Sequence, residues 1–349
     1  ILWSLAMKIF SSYDDHIFFI DFNNFLRDYK DKNFSFFNTS VEDNDKHISK
    51  LFENYDYNGE HVFIHLGYEP HVPEETDPTL LNLLFEKDID LDKVYVITSN
   101  YNYKDSHLKH IHFEYYEYAM QQIVFKNGNF KRWDVSLDVD VVNKRHDKKF
   151  LCLNGFPHDH RKDITNFFIN NNLIEQSSYS YKDKDIHLVY DKKFDKIYHN
   201  NKTKEENRIL AYDTSCNLLL DEEFSYQNSI YIITECLFER ETDRYHLSEK
   251  TYKAMLLKMP FIIIGQPGSL KFLKSLGYKT FNHMWSEQYD DINDPLTRMN
   301  KIKELILNLS KVDLKTIVSD NNDILEYNYR KLLSRRPEKP LLDTLWRLP

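Results

Sequence analysis

The sequence predicts an α/β protein with two Rossmann-like domains, each built on a largely parallel sheet. Three observations carry that expectation. Short apolar runs of strand length alternate with segments of helix length, the pattern of βαβ units. A charged, non-periodic run at 143–149 (NKRHDKK) separates two such series and reads as a linker. The stretch His246 to Trp285 (HLSEKTYKAMLLKMPFIIIGQPGSLKFLKSLGYKTFNHMW) reads as a complete unit of cap, helix, buried strand, glycine turn, second helix and stop.

Taken in order, Met7–Phe10 and Ile17–Ile20 read as strands, and 38–50 is polar. His61 to Leu66 is a strand ending in Gly67-Tyr68-Glu69-Pro70. Leu80 to Phe85 is a short helix and Val94 to Thr98 another strand. Val135 to Val142 alternates apolar and polar residues, as a half-exposed strand does. After the linker, Phe150 to Leu153 opens the second domain, and Asn154 to Pro157 turns the chain. His158-Asp159-His160-Arg161 then leads into a helix from about Lys162 to Asn171. From Lys182 to Arg208 the chain is polar and reads as irregular loops. Ser229 to Thr234 is a strand ending at Glu235, and the loop after it carries Glu239, Glu241 and Arg244.

Ser248 can cap a helix whose apolar positions Tyr252, Met255, Leu256 and Met259 recur at i, i+3, i+4 and i+7. Pro260 is expected to end it. Phe261 to Ile264 is apolar and β-branched, as a strand buried on both faces should be. Gly265-Gln266-Pro267-Gly268 is a turn, Ser269 a cap for the next helix, and Gly277 its stop. Three of the seven glycines fall in this stretch, which suggests backbone shapes that other residues adopt only at a cost. A helix on Met299, Ile302, Leu305, Ile306 and Leu309 and a last one from Ile324 to Leu333 follow. The domains are expected at 7–145 and 146–325. A tail at 326–349 is expected to pack near or back on the first.

Hydrophobic residues make up 41% of the 349 and charged residues 29%, enough for a sizeable core and ordinary for a soluble chain. A formal net charge of −9 argues against tight non-specific nucleic-acid binding, which needs a basic surface. The three cysteines, Cys152, Cys216 and Cys236, fit neither a disulfide framework nor a zinc site, and suggest an intracellular, cytoplasmic setting. No apolar run approaches the ~20 residues of a membrane helix. Ile1 to Ala6 precede Met7, carry no basic lead and are too short for a signal peptide, so they are set aside from the fold. His107, His110 and His112 have no matching carboxylate cluster and read as surface, so no metal is assigned.

The chemical feature is Ser248-Glu249-Lys250. A helix N-terminus offers N–H groups and partial positive charge that suit a phosphate. Lys250 adds a full charge, and Glu249 can accept hydrogen bonds from sugar hydroxyls. Together they suit the ribose and diphosphate of a nucleotide-sugar. An ordinary capped helix with a solvated Glu–Lys pair would show the same tripeptide. Arg161, near a helix start, could fork onto a diphosphate or stand as a surface arginine.

The second half resembles the α1,3-fucosyltransferase family, inverting enzymes of the GT-B type that use GDP-fucose. Tyr231 to Glu239 (YIITECLFE) and His246-Leu247-Ser248-Glu249-Lys250 are similar to its strand-to-glutamate segment and its Tyr-hydrophobic-Thr-Glu-Lys signature. Pro260 to Gly265 and Leu151 to Arg161 are similar to two further segments, and Glu69-Pro70 to its Glu-Ser-Pro element without the serine. His246 replaces the family's Tyr and Ser248 its Thr.

The resemblance implies two domains facing across a cleft, a nucleotide-diphosphate sugar as donor and a glycan or glycoconjugate as acceptor. In it Arg161 and Lys250 neutralise the diphosphate and Glu249 binds the ribose. Glu235 or Glu239 contacts the donor sugar or ribose, and Glu69 is the base. No metal or other cofactor is expected, because cationic side chains supply the charge. Asp138-Val139-Asp140 has the form of a Mn²⁺-holding motif of other glycosyltransferases, but Asp-x-Asp recurs at Asp88/Asp90 and Asp183/Asp185 through the abundance of Asp. Two other readings are a glycosyltransferase for modified bases in DNA, which the acidic net charge disfavours, and a non-catalytic nucleotide-sugar-binding protein.

Overall fold

A computed structural model describes residues 8–11, 26, 29, 31–38, 52–53, 55–65, 78–99, 107–114, 116–118, 120–121, 145–154, 157–188, 222–239 and 245–349. The chain is mixed α/β and divides into two compact units. One is Ile1–Arg132 with Asp243–His246 and Arg336–Pro349; the other is Trp133–Thr242 with Leu247–Arg335.

The first unit holds a parallel sheet of β1 (Lys8–Ser11), β2 (Phe34–Asn38), β3 (His61–His65), β4 (Val94–Thr98) and β5 (Lys109–His112), in that spatial order. Its core packs Phe37, Val62, Ile64, Val94 and Val96 against Phe52, Tyr55 and Ile89, and against Leu80 and Leu84 of α1 (Pro78–Glu86). The Phe37 and Phe52 rings stack at 4.1 Å. A buried carboxylate ties the start of this sheet together. Glu60 accepts from the hydroxyls of Ser35 and Tyr55, both at 2.9 Å. The C-terminal helix, Lys339–Arg347, buries Leu341 and Leu345 and contacts β5. Lys32 Nζ donates to the Leu348 carbonyl at 2.6 Å, so the chain's last residues help complete this unit.

The second unit orders its strands β10-β9-β6-β7-β8: β6 (Lys148–Leu153), β7 (Ser177–Lys182), β8 (His187–Leu188), β9 (Asn228–Thr234) and β10 (Phe261–Ile264). All pair in parallel except β8, antiparallel on β7. From β6 the chain moves first to β7 on one side and later to β9 on the other. The strand order therefore reverses between β6 and β9, and in open parallel sheets such a switch leaves a crevice at the carboxyl ends. The helices are α2 (Asp159–Asn170), α3 (Glu222–Gln227), α4 (Glu249–Leu256), α5 (Ser269–Ser275), α6 (Pro295–Leu309), α7 (Leu314–Ser319) and α8 (Asn322–Ser334).

Several expectations change in detail. The charged run 143–149 does not stop short of the sheet: Lys148 and Lys149 begin β6, and Lys148 pairs with Asn228. The expected polar loop from Lys182 holds β8 and the last residue of β7, whose Ser/Tyr alternation (SSYSYK) carries no apolar run to announce a strand. α4 ends at Leu256, before Pro260. Lys258 turns left-handed (φ 47°), and Met259 N donates back to the Ala254 carbonyl at 2.9 Å, a Schellman closure. Ser269 begins α5 rather than capping it; Gly268, at φ 82°, is the cap residue. The 17–20 and 135–142 segments, with Asp138 and Asp140, lie outside the described residues, as do Cys216 and Glu69.

The capping work at α5 falls to Asp290, from a 3₁₀ turn at Gln288–Asp291. Its carboxylate accepts the Leu270 and Lys271 N–H groups, both at 2.9 Å, and burial raises its pKa. Asp290→Ala strips the helix of that cap and is expected to cost about 1–2 kcal/mol of stability. Urea denaturation measures it, and an unchanged midpoint would show that water replaces the carboxylate.

Candidate active site

The carboxyl ends of β6 and β9 are tied to each other. Thr234 Oγ1 donates to Asn154 Oδ1 at 2.5 Å. Glu235, the residue after β9, donates its backbone N–H to the Ile264 carbonyl of β10 at 2.9 Å. Its own carbonyl accepts from His160 Nε2 at 2.9 Å and from Arg161 Nη2 at 3.4 Å. Arg161 also donates to the Thr234 carbonyl at 3.1 Å and is only 3% exposed. Because α2 starts at Asp159, Arg161 sits in its first turn, turned toward the strand end.

His160 stacks between His158 and Phe238, at 5.6 and 5.3 Å. Burial, with Arg161 beside it, pushes its pKa down to about 3, so the ring is neutral near pH 7 and donates through one nitrogen. The loop after β9 is also held by Arg298 of α6. That buried guanidinium donates to the Phe238 carbonyl and to the carbonyls of Ile292 and Asn293, and lies 4.3 Å from the Phe238 ring centre.

α4 brings the cationic part. Ser248 is its cap: Oγ accepts from Lys250 N at 3.4 Å. Glu235 Oε1 accepts from Ser248 N at 3.1 Å and from Thr251 Oγ1 at 2.7 Å. Lys250 Nζ lies 3.1 Å from Glu249 Oε1, 3.2 Å from Ser248 Oγ and 3.9 Å from Cys236 Sγ. Lys253 approaches the same Glu249 oxygen at 3.8 Å. Burial opposes ionisation of Glu249, but Lys250 and Lys253 outweigh it and hold the pKa at about 2. Burial likewise opposes the charge on Lys250, and Glu249 overrides it, raising that pKa. The pair is therefore ionised near pH 7, with side chains 21% and 13% exposed. Arg161 is close enough to act electrostatically on Lys250, and both act on His158. The first turns of two helices and two cations thus meet where the strand order reverses, and their positive charge favours an anion there.

Comparison with protein-family models finds no match, and comparison with curated proteins finds none. Among solved structures the chain is similar to the crystal structure of an alpha1,3-fucosyltransferase, with a TM-score of 0.38 and 10% identity over 96% of this chain and 84% of that one.

Of the residues singled out in the sequence, the structure brings together Arg161, Glu235, Ser248, Glu249 and Lys250. Glu239 stands exposed, four residues after Glu235. His246 belongs to the first unit, where its ring meets Tyr116 edge-on at 5.6 Å. Among the described residues no group of three or more His, Cys, Asp or Glu could hold a metal, and no helix is long and apolar enough to cross a membrane. Sequence reasoning missed Asn154, Thr251 and Arg298 as parts of this corner. Each acts through a partner far along the chain, and no local pattern marks it.

Proposed function

We propose that the chain is an inverting, metal-independent glycosyltransferase. It moves a sugar from a nucleotide-diphosphate donor, a GDP-sugar being favoured, to a hydroxyl of a glycan or glycoconjugate. The observation that supports this is the meeting of Lys250, the α4 N-terminus and the Arg161-bearing first turn of α2 at the switch point between β6 and β9. A diphosphate leaving group gains negative charge as the glycosidic bond breaks, and fixed positive charge lowers that barrier. Lys250 is the more exposed cation and makes the direct contact in this reading. Arg161, buried against two carbonyls, contributes field and holds the strand end. Glu249, ionised and beside Lys250, accepts from ribose hydroxyls. Glu69 takes the acceptor proton.

The test is a thermal-shift panel of nucleotides and nucleotide-sugars, followed by donor hydrolysis with and without glycan acceptors. Stabilisation by nucleoside diphosphates, with turnover, supports the reading. Binding without turnover on any acceptor supports a non-catalytic nucleotide-sugar-binding protein instead. Turnover is expected to be unchanged in EDTA. Activity abolished by chelation and restored by Mn²⁺ would overturn metal independence and bring Asp138 and Asp140 back into consideration.

A further inference from the structure

We propose that Glu235 is a positioning residue, whose carboxylate fixes the first turn of α4 on the end of β9 and so sets where Lys250 stands toward a diphosphate. The proposal rests on the reading of this corner as a nucleoside-diphosphate site. In a capping box the third helical residue satisfies the cap residue's N–H from within the same helix. Here that position is Thr251, which donates. The acceptor for both Thr251 Oγ1 (2.7 Å) and Ser248 N (3.1 Å) is Glu235 Oε1, from another element. The two donors flank Lys250. The cap is thus tertiary: it links the start of the helix to the strand end, which β10, His160 and Arg161 hold in turn.

Two further observations separate this role from direct ligand contact. Glu235 is 0% exposed, whereas Glu249 and Lys250 keep 21% and 13% of their side chains open. Both structural bonds use one oxygen, and Oε2 has no hydrogen-bond partner among the described residues. An amide oxygen can therefore do the same work as the carboxylate. Glu235 also acts electrostatically on Lys250, so an amide in its place favours an anion.

The experiment uses the full chain and calorimetric titration with GDP, UDP, CDP and ADP. The tightest is carried forward with its parent nucleoside as the phosphate-free control. Glu235→Ala is expected to weaken the diphosphate about tenfold, a loss of ~1.4 kcal/mol, with the nucleoside little changed. Glu235→Gln is expected to bind the diphosphate at least as well as wild type, and Thr251→Val to fall between. The proposal is overturned if Glu235→Ala keeps the wild-type ratio of diphosphate to nucleoside affinity. It is also overturned if Glu235→Gln is as weak as Glu235→Ala, the result expected of a carboxylate that touches the donor. Should Glu235→Ala fail to fold, Thr251→Val and Glu235→Gln decide, and an unchanged ratio in Thr251→Val overturns it. Wild type that binds no nucleoside diphosphate removes the proposed site itself, and this inference with it, before any variant is compared.

Discussion

Glu69→Gln is expected to lower turnover by ~10²–10⁴-fold while leaving donor affinity nearly unchanged. The substitution keeps the shape of the side chain and removes its basicity. Glu69 follows β3, the central strand of the first sheet, with partners on both sides and Val62 to His65 all buried. Loops after such strands are where open parallel sheets carry their functional groups. In the sequence Pro70 follows Glu69, and a residue before proline is disfavoured in the helical region. Steady-state kinetics with a saturating donor measure the effect. Wild-type turnover in Glu69→Gln would place the base elsewhere. Glu239, exposed, would then be tested before Glu235, which is fully buried with one oxygen already committed to α4.

Lys250→Ala is expected to weaken nucleoside-diphosphate binding about tenfold to hundredfold and to leave the parent nucleoside nearly unaffected. A charge-assisted hydrogen bond is worth about 1.5–3 kcal/mol. The upper end is favoured here, because the variant also leaves Glu249 without its nearer cationic partner, beside a bound anion. Lys253 remains at 3.8 Å from Glu249 and offsets part of that repulsion. Arg161→Ala should behave differently. It removes the donor to the Thr234 and Glu235 carbonyls, so a loss of affinity should come with a lower melting temperature. Comparing diphosphate affinity with melting temperature for the two variants tests the distinction. Equal diphosphate affinity in wild type and Lys250→Ala would make Ser248-Glu249-Lys250 an ordinary capped helix.

What the sequence determined by itself is local. Val94–Thr98, Phe261–Ile264 and most of Asn228–Thr234 are legible as strands because their apolar or β-branched runs match what burial on both faces requires. The start of α4 is legible because Ser248 caps through a bond to a residue two positions on. Gly277 is legible as a stop because φ 87° is a backbone shape that glycine adopts at least cost. The tripeptide that carries the proposed chemistry was in view for the same reason.

Only the tertiary structure decided the rest. Phe34–Asn38 and Ser177–Lys182 become strands by pairing with neighbours, since neither is a clean apolar run. The reversal of strand order beside β6, which selects the corner where a ligand would sit, is a property of sheet topology that no window of sequence contains. The partners that build that corner are 13 and 16 residues apart for Glu235 with Ser248 and Thr251, and 73 for Arg161 with Thr234. Periodicity and capping preferences report on neighbours within about one helical turn. A carboxylate that caps a helix from another strand satisfies the same N–H groups, but which carboxylate does so depends on how strands are ordered, and that order is fixed by packing rather than by any local pattern.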